Sequence, residues 1–244
     1  MAKKIEYLYG FAAVEGALTA GRRERVRLLV KEGNKNPRMK PLLHLARQLK
    51  LPFQSVGADQ LFKLSGSKTN QGVVLETSPL VPYDLEDLGP SAEGNKQLLI
   101  ALDQVEDPQN LGAIVRTAAF LGASGVLQTK AHAAAMSPAA SKASAGALET
   151  FPVVEVGNLS ETLNRLKNDG YWILGSTLSE SSQQLSQAMQ ADKIVLVLGN
   201  EGAGIRQLTA KRCDQLIQIP GSGKVESLNV SASAAILMHH LLWR

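Results

Sequence analysis

Three short stretches of the 244-residue chain concentrate side chains that could do chemistry. The first runs from Asp103 to Arg116, with Asn110 and Arg116 set among apolar and small residues. The second is Gly199-Asn200-Glu201-Gly202-Ala203-Gly204, three glycines in six residues around one carboxylate. The third runs from Pro220 into Ser227-Leu228-Asn229. A carboxylate, a guanidinium, a hydroxyl and several amides suit proton transfer and the stabilisation of developing oxyanion charge. Metal chemistry is not indicated. Cys213 is the single cysteine, and the histidines (His44, His132, His239 and His240) form no cluster with it. His239 and His240, adjacent near the end of a helical segment, read as structural.

Each stretch also has an ordinary reading. Asn110 suits a helix cap, Glu201 a solvated turn, and Ser227 or Asn229 a second cap. Arg116 fits such a role less well. Its neighbours Val115, Ala118 and Ala119 are apolar or small, so a guanidinium there needs a partner or a ligand. Asn110 and Arg116 stand six positions apart and share no helical stripe. Both reach one pocket only if Asn110 sits in the turn before the helix. The glycines let a backbone approach a ligand closely. Yet G-x-x-G-x-G is not the dinucleotide fingerprint, and no G-x-x-x-x-G-K-[ST] phosphate loop occurs.

The elements around these stretches give them a common address. From Gln97 onward apolar strands alternate with helices: strands at 98–102, 125–128, 153–156, 171–175, 194–198 and 216–219, helices at 111–121, 137–148, 159–168, 205–212 and 230–241. Continuous apolar strands separated by helices predict a largely parallel sheet covered on both faces. Ligands of such sheets bind at the carboxyl ends of strands, and all three stretches directly follow a strand. Ahead of this region, helices at 11–20, 41–49 and 59–64 and strands at 26–30, 53–56 and 72–76 predict a small α/β unit over residues 1–76. Residues 77–96, rich in Pro and Gly, read as a linker, and residues 97–244 as the second domain.

Composition narrows the function classes. With 44% hydrophobic and 20% charged residues the chain can bury a core, built from Leu, Val, Ile and Ala because aromatics are only 5%. Residues 1–76 carry 14 Lys/Arg against 6 Asp/Glu, whereas residues 77–244 carry 12 against 16. A module with this basic excess, which includes Arg22, Arg23, Arg25, Arg27 and Lys31, suits attraction of phosphate backbones, or else presents a solvated face. No apolar run approaches the roughly 20 residues of a membrane span, and the N-terminus has no signal-type stretch. A reducing, cytoplasmic location in a bacterium is expected, or a mitochondrial matrix after removal of a transit peptide.

Three segments together resemble a known family. Asp107-Pro-Gln-Asn-Leu-Gly-Ala-Ile-Val-Arg-Thr-Ala, Leu196-Val-Leu-Gly-Asn-Glu-Gly-Ala-Gly-Ile, and Ile219-Pro with Glu226-Ser-Leu-Asn-Val-Ser-Ala-Ser are similar to the three motifs of the SpoU/TrmH branch of the SPOUT methyltransferases. Tyr9-Gly10 and Asn70-Gln-Gly-Val-Val resemble the ribosomal-protein-L30e-like RNA-binding domain that precedes the catalytic domain in one group of that branch. There a histidine is expected in place of Asn70. The resemblance implies an α/β fold with a C-terminal trefoil knot, a homodimer, and S-adenosylmethionine as cofactor. It also implies 2′-O-methylation of a guanosine ribose in large-subunit ribosomal RNA. Methylation of transfer RNA, or an inert RNA-binding and ribosome-assembly role, are the alternatives. It assigns Arg116, Asn110, Glu201, Ser227 and Asn229 to catalysis and Gly199, Asn200, Gly202, Ile219 and Leu228 to the cofactor. A guanidinium stays protonated in ordinary protein settings, so Arg116 is expected to act as a fixed charge, with Glu201 holding it or accepting the proton.

Overall fold

The computed structural model describes residues 4–88, 96–179, 181–200 and 202–243. They form two compact units, Met1–Val81 with Met136–Thr150, and Pro82–Ala135 with Phe151–Arg244.

The first unit follows the chain as β1 (Glu6–Tyr9), α1 (Phe11–Ala20), β2 (Arg25–Lys31), α2 (Met39–Gln48), β3 (Phe53–Val56), α3 (Ala58–Ser65) and β4 (Val73–Thr77). Its sheet has the order β1-β4-β2-β3, with β4 antiparallel to both neighbours and β2 parallel to β3. The period-two alternation of a strand sends Leu28, Val73 and Leu75 into one cluster with α1 and α2, and Leu29 and Val74 into another with α3. Gly21, left-handed at φ 68°, ends α1 as the sequence predicts. Strand β1 has no counterpart in the sequence reading, because it is four residues long and buries only Leu8, too little for a periodic signal.

The basic run of this unit is largely consumed by the fold. Arg23 is buried, and its Nε and Nη2 donate to the two carboxylate oxygens of Glu149 at 2.8 and 3.0 Å. Its Nη1 donates to Glu6 at 2.9 Å and to the Ser78 carbonyl at 3.0 Å. Arg22 donates to the Val81 carbonyl, Arg25 to the Leu18 carbonyl, and Arg27 pairs with Glu76 at 2.6 Å. Of the five residues in that run, Lys31 alone has an ammonium without such a partner among the described residues. Within this run the guanidinium groups thus brace the unit, and the ammonium of Lys31 is left open.

In the second unit the chain forms β5 (Gln97–Asp103), α4 (Pro108–Leu121) and β6 (Gly125–Thr129), then sends Met136–Thr150, with α5 (Pro138–Ala143), into the first unit. It continues as β7 (Val153–Val156), α6 (Leu159–Asn168), β8 (Trp172–Ser176), β9 (Gln183–Gln184), β10 (Lys193–Gly199), α7 (Gln207–Ala210), β11 (Gln215–Gln218) and α8 (Val230–Leu242). The seven strands are ordered β7-β6-β5-β10-β8-β11-β9, every pair parallel. Leu98–Leu102 of β5 and Ile194–Leu198 of β10 are buried throughout, as central strands covered on both faces require.

Beyond the unpredicted strands β1 and β9, the structure departs from the sequence reading in the extent of two helices and in the linker. The helix expected over 137–148 stops at Ala143, because Ala145 and Gly146 take positive φ of 51° and 86°. A Cβ on Gly146 would stand 2.2 Å from the Ala12 carbonyl oxygen, so the small residues there serve a backbone contact with α1. The helix expected over 205–212 shrinks to the four residues of α7. Within the stretch read as linker, Tyr83 donates to the Val153 carbonyl at 3.0 Å and Leu85–Asp87 form a 3-10 turn. The remainder of that stretch, 89–95, lies outside the described residues.

The return of the chain after β11 matters most for the site. Strand β11 lies two strands outward from β10, yet α8 packs on α4 and contacts β5 and β10. Residues 219–229 therefore run back along the carboxyl edge of the sheet. This return carries the third of the motif regions, and the resemblance forms the knot from the second and third together.

Candidate active site at the carboxyl edge of the seven-stranded sheet

Parallel strands deliver their following turns to one edge, and here the order β5-β10 puts two of the three motif turns side by side. Gly199 stands in register with Asp103 at the ends of β10 and β5. Asp103 is fully buried and accepts twice from Arg206, its Oδ2 from the backbone N–H at 2.9 Å and its Oδ1 from Nε at 2.7 Å, with Nη2 paired to Oδ1 at 2.7 Å. Charge-assisted bonding that engages both carboxylate oxygens fixes orientation as well as position. It ties the far end of the glycine turn to the end of β5. Asn200 adds a second tie, donating from Nδ2 to the Gln104 carbonyl at 3.0 Å while its Oδ1 accepts from the Gly202 N–H at 2.9 Å.

The glycines have separate reasons. A Cβ on Gly199 would lie 2.1 Å from the Gly204 carbonyl carbon, so the turn closes on its own backbone there. The close approach expected of a ligand is met at Gly199 by the protein itself. A Cβ on Gly202 would meet nothing nearer than Asn200 Oδ1 at 3.8 Å, and the residue stays exposed. Glu201 lies outside the described residues.

The third motif meets the first. Asn229 is the N-cap of α8, its Oδ1 accepting from the Ser231 N–H at 2.8 Å, and its Nδ2 donates to Asn110 Oδ1 at 3.0 Å. Asn110 is not the cap of α4. Asp107 fills that role by accepting from the Gln109 N–H at 2.9 Å, and Asn110 sits buried one residue further into the first turn. Ser227 is exposed, as is Leu228 at 50%, and Ile219 is half-buried. Among the described residues no hydrogen bond involves the backbone of Ile219 or Leu228. Their backbone groups are thus open to a ligand.

Arg116 is not brought into this cluster. Six positions in a helix amount to about 9 Å of rise and roughly a 120° difference in direction. Asn110 therefore faces α8 while Arg116 faces outward. The guanidinium is exposed and has no hydrogen-bond or ion-pair partner among the described residues. Ala119 is exposed as well, so burial among apolar neighbours is not what Arg116 answers to. One turn on lies Phe120, 85% exposed, and Ile236 and Trp243 of the packed α8 region are also exposed. Trp243 Nε1 donates to the Leu121 carbonyl at 3.2 Å and holds its ring at the end of α4.

The sequence alone does not mark Asp103 and Arg206 as site-forming. An acid ending an otherwise apolar strand, opposite the only arginine in the glycine turn's exit, is the signal that could have found them. Cys213 is a contrast: burial pushes its thiol up to about 12, which leaves it inert. No group of three or more His, Cys, Asp or Glu among the described residues could hold a metal ion. No helix among them is long and apolar enough to cross a membrane.

The model of the SpoU rRNA Methylase family matches residues 97–239, and that of RNA 2′-O ribose methyltransferase substrate binding matches residues 7–83. The 23S rRNA (guanosine-2′-O-)-methyltransferase RlmB of Haemophilus influenzae is 37% identical over 97% of this chain and 97% of its own length. The RlmB of a Burkholderia species is 38% identical over 96% and 95%. Among solved structures, the SpoU methyltransferase AviRb from Streptomyces viridochromogenes, crystallised with AdoMet, superposes with a TM-score of 0.80 at 22% identity over 98% of this chain and 89% of its own. With three motif turns on one sheet edge and full-length likeness on both sides of the domain boundary, the chain belongs to the SpoU rRNA methylase family.

Proposed function

We propose that the protein transfers a methyl group from S-adenosylmethionine to the ribose 2′-oxygen of a guanosine in large-subunit ribosomal RNA. The observation that carries this reading is the Asn229–Asn110 hydrogen bond beside the Asn200–Gln104 tie. These bonds gather the three motifs at one edge, in a chain whose full-length relatives carry that activity in their names. Residues 1–76 act as the RNA-binding module, 77–96 as the connection and 97–244 as the catalytic domain. The bacterial relatives favour a cytoplasmic location.

The cofactor, when bound, supplies an electrophilic methyl group on sulfur. The backbone at Gly199, Ile219 and Leu228, with Asn200 and Gly202, would hold it. A ribose hydroxyl attacks only once its proton has somewhere to go. Glu201 is the carboxylate the glycine turn offers for that proton. Asn110, Ser227 and Asn229 orient the ribose edge. Arg116 keeps its charge and stabilises the developing oxyanion or grips the neighbouring phosphate.

A second copy of the chain gives Arg116 a site to act on. The exposed Phe120, Ile236 and Trp243 beside it favour a homodimer in which Arg116 meets the motif turns of the other copy. Phe120→Glu should convert the dimer to monomer in sedimentation and cut methyl transfer at least tenfold. A dimer of wild-type strength would remove that arrangement.

The test of the function is methyl transfer from labelled AdoMet to rRNA lacking the modification, with the product nucleoside identified. 2′-O-methylguanosine in 23S-type RNA is expected. Label in transfer RNA would move the substrate class, and calorimetry without AdoMet binding would leave an inert RNA-binding protein.

A further inference from the structure

The first unit has its own cleft, of about 620 Å3, at the carboxyl ends of the parallel strands β2 and β3. Lys31 and Lys35 come from the segment after β2, Phe62 from α3, and Lys68 from the loop before β4. Asn70 and Gln71 form part of its wall. Asn70 is turned inward, its Oδ1 accepting from the Gly72 N–H at 2.8 Å and its Nδ2 donating to the Ser67 carbonyl at 2.8 Å. It braces the loop, which a histidine in its place would do differently.

The cleft holds charge that the fold does not use. Arg23, Arg27 and Arg38 are each tied to a carboxylate of this unit. The ammonium groups of Lys31, Lys35 and Lys68 have no hydrogen-bond or ion-pair partner among the described residues, and Asp59 is the one acid in the lining. Phe62 is 44% exposed while the adjacent Leu61 is fully buried. Helix α3 therefore spends Leu61 on the core and presents an aromatic ring at the cleft.

We infer that this cleft binds an unpaired segment of RNA, with phosphates on Lys31, Lys35 and Lys68 and a base stacked on Phe62. Cations track a phosphate backbone, and an exposed ring in the same cleft offers a base a stacking platform. A duplex keeps its base faces covered, so it satisfies the lysines and leaves Phe62 unused. Unpaired RNA satisfies both. The inference deepens the proposed function, on which it rests for RNA as the substrate class.

The test uses the full-length protein and a fluorescein-labelled, unstructured oligoribonucleotide of about 12 nucleotides, with the same sequence as a duplex for comparison. The triple variant Lys31→Ala, Lys35→Ala, Lys68→Ala should bind the single strand at least tenfold more weakly. Its salt dependence should fall by about 2 in the slope of log affinity against log salt, at about 0.7 per phosphate contact. Phe62→Ala should lose about tenfold with the slope unchanged, and Phe62→Tyr should recover most of it. Wild-type affinity and slope in the triple variant, or duplex binding as tight as single-strand binding, would overturn the inference. Methyl transfer to rRNA by the wild-type protein is measured on the same preparation. Transfer without cleft dependence sinks the cleft alone, whereas no transfer with cleft-dependent oligonucleotide binding sinks the methyltransferase reading alone.

Discussion

Arg23 in the first unit and Arg116 in the second are set in opposite surroundings. Arg23 is buried, forked onto Glu149 and bonded to Glu6. Burial on its own disfavours its charge, but the two carboxylates outweigh that and hold its pKa above the ordinary guanidinium value. Arg116 is exposed and has no such partner among the described residues. Their sequences suggest the reverse, since Arg23 sits in a charged run and Arg116 among apolar residues. A guanidinium whose donors are satisfied by its own unit has a structural task. One left with open donors beside an apolar face is available to something outside the chain.

The strongest way to break this contrast is Arg23→Ala. It leaves Glu149 as a buried carboxylate with Ser141 alone, so unfolding in denaturant should show a loss of about 3–5 kcal/mol. A loss below about 1 kcal/mol would mean the fork is not structural. Asp103→Ala probes an intermediate case, because the Arg206 guanidinium is half exposed while Asp103 is buried. About 1.5–3 kcal/mol should be lost, together with weaker AdoMet binding in calorimetry as the glycine turn loses its tie. Unchanged cofactor affinity would separate that tie from the site. The smallest effect concerns Cys213. With its thiol raised to about 12, iodoacetamide should leave it unmodified at pH 8 until the protein unfolds. Because the folded state favours the neutral thiol, its contribution is whole below the ordinary value of 9.0 and is lost as pH rises toward 12. Rapid labelling of the native protein would contradict the burial.

Elements with long periodic or fully apolar signals were legible from sequence, and α1, α6, β7 and β10 fall where the pattern predicts them. What escaped were features decided by contacts distant in sequence. Strand β1 depends on pairing with β4, roughly 65 residues on. The break at Ala145-Gly146 depends on the backbone of α1. At the site, the motif residues and their placement after strands could be read directly. The Asp103–Arg206 pair spans 103 positions and leaves only a buried-looking acid as its trace. Sequence also gave Arg116 the wrong surroundings, because neighbouring apolar residues do not say which side of α4 the guanidinium faces.

The role proposed for Arg116, which has no partner among the described residues, is to act on the reacting RNA. Single-turnover methyl transfer by Arg116→Lys at saturating AdoMet tests it most directly. The account predicts a rate lower by about 100-fold or more, as loss of planar two-point recognition requires, with stability within about 0.5 kcal/mol of wild type. Near-full turnover, or a loss of turnover matched by a loss of stability like that of Arg23→Ala, would contradict it.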